Sequence, residues 1–369
     1  MAGIYVHIPF CSSRCIYCDF YSSTGLNALQ SDYIDGILRE LNVRKDYLCG
    51  EDIHTIYIGG GTPSLLSSDD LKRLSHALHE YAGGNVEEFT MECNPDDVSP
   101  TLAKTIHECG INRVSMGVQT FSGERLAFLH RRHKSEDAAR AVNILRTAGI
   151  ENISIDLMFG FPGESVDEWS SDIDSALALG VEHLSAYSLM YEGGTQLYHM
   201  LQKGLIKEND EETSRQMYEL LIDKLTTAGY EHYEISNFSK PGYASRHNSS
   251  YWDGTKYLGL GAGAHSYDGE SRQWNVCDIK KYLQGKGIPE EREVLDSSTK
   301  YNDLITTALR TCRGICLSKL SAKEREYIIR NARKSISHGL LQQDGDYLHL
   351  TRTGLYVSDD VMSDLIYVE

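Results

Sequence analysis

Through the first two thirds of the chain, short apolar runs alternate with longer stretches whose apolar residues recur every three or four positions. The short runs at 4–8, 53–58, 88–92, 113–118, 153–158 and 184–189 read as strands. The stretches between them, at 32–47, 70–81, 100–108, 135–148 and 166–179, read as helices. Repeated strand–helix units predict a parallel sheet with its crossover helices outside. Six such units are too few for an eight-stranded closed barrel. The expected fold is therefore α/β, an open partial (β/α)6 barrel.

Beyond Tyr191 the pattern changes. Residues 211–228 read as one long amphipathic helix, followed by an aromatic-rich stretch to Trp252 and a Gly-rich turn at 259–265. From about Ser297 the order becomes helix, helix, a short strand at 347–351 and a last helix, which suits a small winged-helix-like accessory domain. The expected division is a barrel at 1–230, a connecting segment rich in aromatics and glycine at 231–296, and the accessory domain at 297–369.

Unusual residues fall where the strands end. Cys11, Cys15 and Cys18 follow the first strand, and Gly59-Gly60-Gly61-Thr62-Pro63 follows the second. The third ends in Glu92-Cys93-Asn94-Pro95 and the fourth in Gly117-Val118-Gln119; the fifth carries Asp156 and runs into Gly160-Phe161-Pro162-Gly163, and the sixth leads to Glu192-Gly193-Gly194-Thr195. In a parallel barrel these ends share one face, the face that binds ligands. Loops simply needing Gly and Pro would explain any one signal, but explain the set poorly.

Composition narrows the chemistry. A hydrophobic fraction of 41% and a charged fraction of 24% are those of an ordinary globular chain. A formal charge of -17 argues against a sequence-independent grip on nucleic acid and against electrostatic attraction to anionic lipid. No signal peptide and no apolar stretch long enough to span a bilayer is visible, so a soluble, cytoplasmic protein is expected. The nine cysteines are an odd number without a secretory signal, which disfavours a disulfide framework. Three thiolates spaced C-x3-C-x2-C on a loop leaving a strand can supply three ligands to a four-iron cube, leaving one iron open. The competing reading is a zinc site completed by His7 or Asp19, although zinc sites more often use paired C-x2-C knuckles.

The stretch 4–20, with His7-Ile8-Pro9-Phe10-Cys11 and Tyr17-Cys18-Asp19-Phe20, resembles the radical-SAM family of oxygen-independent coproporphyrinogen III oxidase and the haem chaperone HemW. The likeness continues through 59–64, 92–95, 117–121, Arg131, 156–163 and 234–252, and so covers about the whole chain. It implies a [4Fe–4S] cluster on Cys11, Cys15 and Cys18, with S-adenosylmethionine chelated at the open iron and an electron donor as a partner. It also implies a SAM pocket in which Gly60 and Gly61 let backbone approach the methionyl group, Thr62 adds a hydroxyl and Glu92 accepts from the ribose. Tyr5 and Tyr17 would line that pocket, and Gln119, Arg131 and Asp156 would complete it. The bland alternative for Arg131 is one solvated charge in Arg131-Arg132-His133.

Within that family the oxidase pattern has a further cysteine two positions after the third ligand, where this chain has Phe20. The oxidase also carries a sizeable segment ahead of its cluster loop, which is expected to be missing here because the first ligand is residue 11. Both departures match the HemW pattern, as does His247-Asn248-Ser249-Ser250-Tyr251-Trp252, where His247 could ligate haem iron axially. The plain alternative is a histidine anchoring a loop; His265 is a weaker haem candidate. The expectation is a haem chaperone carrying a SAM-binding cluster and passing haem to acceptor proteins, with transient contact to membrane proteins allowed. An oxygen-independent coproporphyrinogen decarboxylase is the alternative, and a radical-SAM enzyme acting on another substrate stays open.

Overall fold

The computed structural model describes residues 1–48, 50–285, 287 and 289–368. Six strands, β1 (Ala2–Ile8), β2 (Ile53–Gly60), β3 (Glu88–Cys93), β4 (Arg113–Gln119), β5 (Asn152–Phe159) and β6 (His183–Ser188), lie side by side in chain order. Every neighbouring pair among them is parallel. The helices Gln30–Val43, Ser68–Ala82, Pro100–Glu108, Ser135–Thr147 and Val166–Ala178 return the chain between them. Local chemistry sets several of these ends. Ser67, Ser99 and Ser165 each cap a following helix by accepting from a backbone N–H one turn in, and Gly83 closes the Ser68–Ala82 helix at φ 71°. The open (β/α)6 barrel expected from the hydrophobic pattern is the core of the fold.

Alternation along the strands separates two environments, because successive side chains point to opposite faces. On β4, Val114, Met116 and Val118 are buried in the main apolar core with Phe89, Met91, Ile155 and Leu184 of neighbouring strands. Arg113, Ser115, Gly117 and Gln119 face the opposite way and line a cavity. The interior face of β4 is therefore polar.

The segment 231–296 contributes half of the sheet. Strands Glu231–Glu234 and Asn237–Ser239 extend the sheet beyond β6, while Lys256–Leu260, His265–Tyr267, Ser271–Trp274 and Glu291–Val294 extend it beyond β1. This gives twelve strands, with Lys256–Leu260 parallel to β1 and the remaining additions antiparallel. What the sequence presents as a connection is structural because the chain crosses from one sheet edge to the other through the helix Arg246–Trp252. The buried Glu88 carboxylate at the start of β3 receives this helix, accepting from the backbone N–H groups of Arg246 (2.9 Å) and His247 (3.0 Å) and from the Ser245 hydroxyl (3.3 Å). An anion on those donors suits their partial positive charge.

From Ser297 the chain builds a second core around Tyr301, Ile305, Ile315, Ile328, Leu348 and Leu365. Its helices Ser297–Ala308 and Ala322–Ser337 pack with a three-stranded sheet of Ile315–Cys316, Tyr347–Leu350 and Leu341–Asp344. The order helix, strand, helix, hairpin is winged-helix-like. Arg310 fastens this unit to the barrel, pairing with Glu234 at 2.8 Å and lying over the Trp252 ring at 4.9 Å.

Candidate functional site

All six strand ends predicted to converge contribute to one cavity, although Gly160–Gly163 after the fifth and Gly193–Thr195 after the sixth are not on its lining. A cavity of ≈ 450 Å³ is lined by Cys11, Cys15, Cys18, Tyr17, Gly60, Gly61, Thr62, Glu92, Gln119, Arg131 and Asp156, together with residues the sequence reading did not single out. Its volume lies in the range of small-molecule and cofactor sites.

The cysteine loop is pinned at both ends. Phe10–Cys11 pairs with Ser23–Thr24, and the Cys18 N–H donates to the Cys15 carbonyl at 3.3 Å. All three thiols are free and partly exposed. Among the described residues no group of three His, Cys, Asp or Glu side chains closes on a single metal ion. A zinc ion draws all its ligands to within about 2.3 Å of one point, whereas a four-iron cube takes its thiolates at separate corners. Burial raises the Cys11 thiol and pushes Cys18 up to about 11; metal binding would have to displace those protons.

One polar network reaches two of the sulfurs. The Thr62 hydroxyl donates to Cys11 Sγ at 3.5 Å and accepts from Asn94 Nδ2 at 3.5 Å. Asn94 Oδ1 accepts from Arg131 Nη2 at 2.8 Å, and Arg131 Nη1 points to Cys15 Sγ at 3.6 Å. Arg131 Nη2 also donates to the Gly117 carbonyl at 2.6 Å. Hydrogen bonds to cluster sulfurs are a recognised influence on reduction potential. Arg131 is thus fixed in the cavity wall, not left as a solvated surface charge.

Two non-glycine residues at positive φ, Gln119 (67°) and His130 (62°), flank this network. Such backbone costs roughly 1–3 kcal/mol and concentrates at functional sites. At Gln119 the register between β4 and β5 slips, and at His130 the turn delivers Arg131. Nothing in the sequence signals either.

The glycines on the cavity lining also have a packing role that the sequence does not suggest. A Cβ on Gly60, whose φ is 112°, would stand 2.5 Å from the His7 ring; one on Gly61 would stand 2.8 Å from the Phe10 carbonyl and 2.9 Å from that of Ile8. Both are small because β2 packs on β1 and the root of the cysteine loop. Glu92 beside them is half-buried, accepting from the Tyr57 hydroxyl (2.8 Å) and the Gly60 N–H (3.0 Å). Burial, reinforced by the charge of Asp156, pushes its carboxyl up to about 7. Asp156, held weakly by Ser115 at 3.4 Å, is likewise raised by burial.

Four predicted positions sit differently from expectation. Tyr5 is not part of the cavity lining: it lies behind the wall, its hydroxyl 2.9 Å from His7 Nδ1 and its ring stacked on Tyr57, which does face the cavity. His247 is fully buried, with Nδ1 2.9 Å from Thr55 Oγ1 and Nε2 2.9 Å from the Tyr251 hydroxyl. Burial holds its imidazole down at about 3. With both ring nitrogens engaged inside the fold, it anchors the Arg246–Trp252 helix, and neither nitrogen is available to an iron in this arrangement. Trp252 packs toward the C-terminal domain, and His265 stacks on Trp274 away from the cavity lining. The neighbouring Asn248 does reach the cavity.

The residue most clearly missed is Arg113. It is 1% exposed, lines the cavity, and leaves Nε and Nη1 without a hydrogen-bond partner. Its charge works against the rise of Glu92 and Asp156, a smaller effect than the desolvation that lifts both. The period-two polar series Arg113, Ser115, Gly117, Gln119 could have revealed it as an inward face.

Comparison with known proteins agrees with this arrangement. The profile of the Radical SAM superfamily matches residues 5–176, and that of the HemN C-terminal domain matches residues 295–357. The heme chaperone HemW of Bacillus subtilis is 34% identical over 98% of each chain. HemW of Lactococcus lactis is 36% identical over 98% of this chain and 96% of its own, and that of Escherichia coli 33% over 95% and 94%. Among solved structures, coproporphyrinogen III oxidase (HemN) from Escherichia coli superposes with a TM-score of 0.85 over 99% of this chain and 90% of its own, at 21% identity. That likeness shows the fold.

Proposed function

The chain belongs to the HemW family of radical-SAM proteins, and on that premise we propose that it is a haem carrier with a SAM-binding [4Fe–4S] cluster on Cys11, Cys15 and Cys18. The observation that carries the cluster reading is the set of three free, partly exposed thiols on the lining of one cavity, two of them held by the Thr62–Asn94–Arg131 network. The haem reading rests on full-length similarity to relatives named heme chaperone. When bound, such a cluster supplies one-electron chemistry. The chain's own part is placement: Thr62 and Arg131 orient donors to sulfur, Glu92 and Asp156 offer half-buried acceptors to hydroxyls, and Gln119 presents its amide from a strained turn.

Glu92 makes SAM binding pH-dependent. Its acceptor form is the ionised one, and with a carboxyl at about 7 that form is lost as pH falls. SAM affinity of the reconstituted protein, followed by its effect on the reduced cluster's EPR spectrum, should weaken from about pH 8 to about pH 6. Glu92→Gln should bind more weakly throughout, with a flat profile. A sloping profile in that variant would remove Glu92 from the role.

The function is tested by two anaerobic incubations. With haem, the reconstituted protein should show a Soret band saturating near about one equivalent, as for a single axial site, and should lose haem to an apo-haemoprotein. With coproporphyrinogen, SAM and reductant, it should accumulate no protoporphyrinogen. Multiple-turnover decarboxylation would replace the carrier with the oxidase.

A further inference from the structure

Three large apolar side chains on the cavity lining are exposed: Phe20 on the loop after β1, Tyr187 near the end of β6 and Met190 on the loop after β6. Phe20 is 66% exposed, Tyr187 41% and Met190 62%, and all three line the cavity. Exposed apolar residues scattered singly need no explanation, but three on the lining of one cavity do. Arg14, also exposed and on the same lining, makes only a long hydrogen bond to the Cys18 carbonyl (3.5 Å) and no ion pair among the described residues. The other lining arginines are engaged or enclosed: Arg131 bonds Asn94 and Gly117, Arg132 pairs with Asp96 and Asp97, and Arg113 is buried.

We propose that this part of the lining is the haem-docking face, with Phe20 and Tyr187 packing on the macrocycle, Met190 Sδ ligating the iron and Arg14 pairing with a propionate. The inference rests on the haem-carrier reading and adds the place and the ligand. Haem is a flat apolar disc with two carboxylates at one edge and an iron that accepts a thioether as axial ligand. Two partly exposed aromatic rings, one exposed thioether and one cation without an ion pair among the described residues are groups of the kinds those features call for, all on one cavity lining. A thioether is a weaker iron ligand than imidazole, which suits a carrier that must release its cargo. The same geometry accounts for Phe20: at a site open to a haem face, an aromatic ring adds contact area.

The test is a haem titration of the full, anaerobically reconstituted chain, with cluster iron and far-UV circular dichroism measured for every variant. Met190→Ala and Phe20→Ser should each raise the haem Kd by about tenfold, roughly the loss of one good contact, with iron content unchanged. Met190→His should retain haem and move the Soret maximum and the ferrous spectrum to those of an imidazole ligand, a change that no merely structural role would produce. Arg14→Gln should weaken haem while leaving binding of haem dimethyl ester, which lacks the carboxylates, unaltered. If the unsubstituted chain binds haem but Met190→His leaves its spectra unmoved and Phe20→Ser its affinity, this part of the lining is not the site and the carrier reading survives. If the unsubstituted chain binds no haem, both fall.

Discussion

Alanine at Cys11, Cys15 or Cys18 is expected to bring reconstituted iron from about four per chain to background and to abolish the brown chromophore, since a cube with two remaining thiolate anchors loses its chelate. Alanine at Cys109, Cys277, Cys312 or Cys316 should leave both unchanged, because none of these lines the cavity; Cys49 lies outside the described residues. Cys93 is the informative control. It is buried at the end of β3 beside Glu92 and within the lining, yet burial raises its thiol strongly and it stands apart from the loop. Cys93→Ala should keep its iron. Colorimetric iron and sulfide assays on each variant decide the matter; stoichiometric zinc without iron in anaerobically purified protein would overturn the cluster.

Gly60→Ala should destabilise the whole barrel, not just one ligand contact. The substitution forces an L side chain into φ 112° and drives Cβ to 2.5 Å from the His7 ring. That ring cannot swing away freely, because Nε2 donates to the Tyr21 carbonyl at 2.9 Å and Nδ1 meets the Tyr5 hydroxyl at 2.9 Å. Backbone strain together with overpacking amounts to about 2–5 kcal/mol, visible as a lower urea midpoint in both apo and reconstituted protein. Gly61→Ala meets backbone on the Phe10 and Ile8 side and should also displace the root of the cysteine loop, lowering iron content. If Gly60→Ala instead folds with unchanged stability and loses only SAM affinity, the glycine is there for the ligand after all.

These two substitutions mark the boundary between what was legible in the residues and what was not. The six strands and five crossover helices came through because their signal is local: a period of two or of about 3.6, broken by Gly, Pro and capping serines. The cysteine loop was legible for the same reason, since its chemistry is contained in eight consecutive residues. Of the SAM positions expected from the resemblance, Tyr17, Gly60, Gly61, Thr62, Glu92, Gln119, Arg131 and Asp156 all reach one cavity, and Tyr5 stops behind its wall.

Roles that depend on distant partners were not legible. A histidine followed by Asn, Ser, Ser, Tyr and Trp reads equally as a ligand or as an anchor until Thr55, 192 positions away, is found bonded to its ring. Short charged strands such as Glu291–Val294 carry no periodic signal, so a segment resembling a connection became half of the sheet only once its partners were known. Asn94 and Arg113 carry no role that their own neighbours in sequence disclose; the first proves to bridge the groups that touch Cys11 and Cys15, and the second to be a buried cation on the cavity lining with Nε and Nη1 unpartnered. The sequence by itself determined the elements of the parallel barrel and the three thiols, because those follow from spacing along the chain. Tertiary structure alone decided which imidazole is spent on packing and how the strands of 231–296 extend the sheet. Burial and hydrogen-bond satisfaction depend on every element that closes around a side chain, and most of those lie far away in sequence.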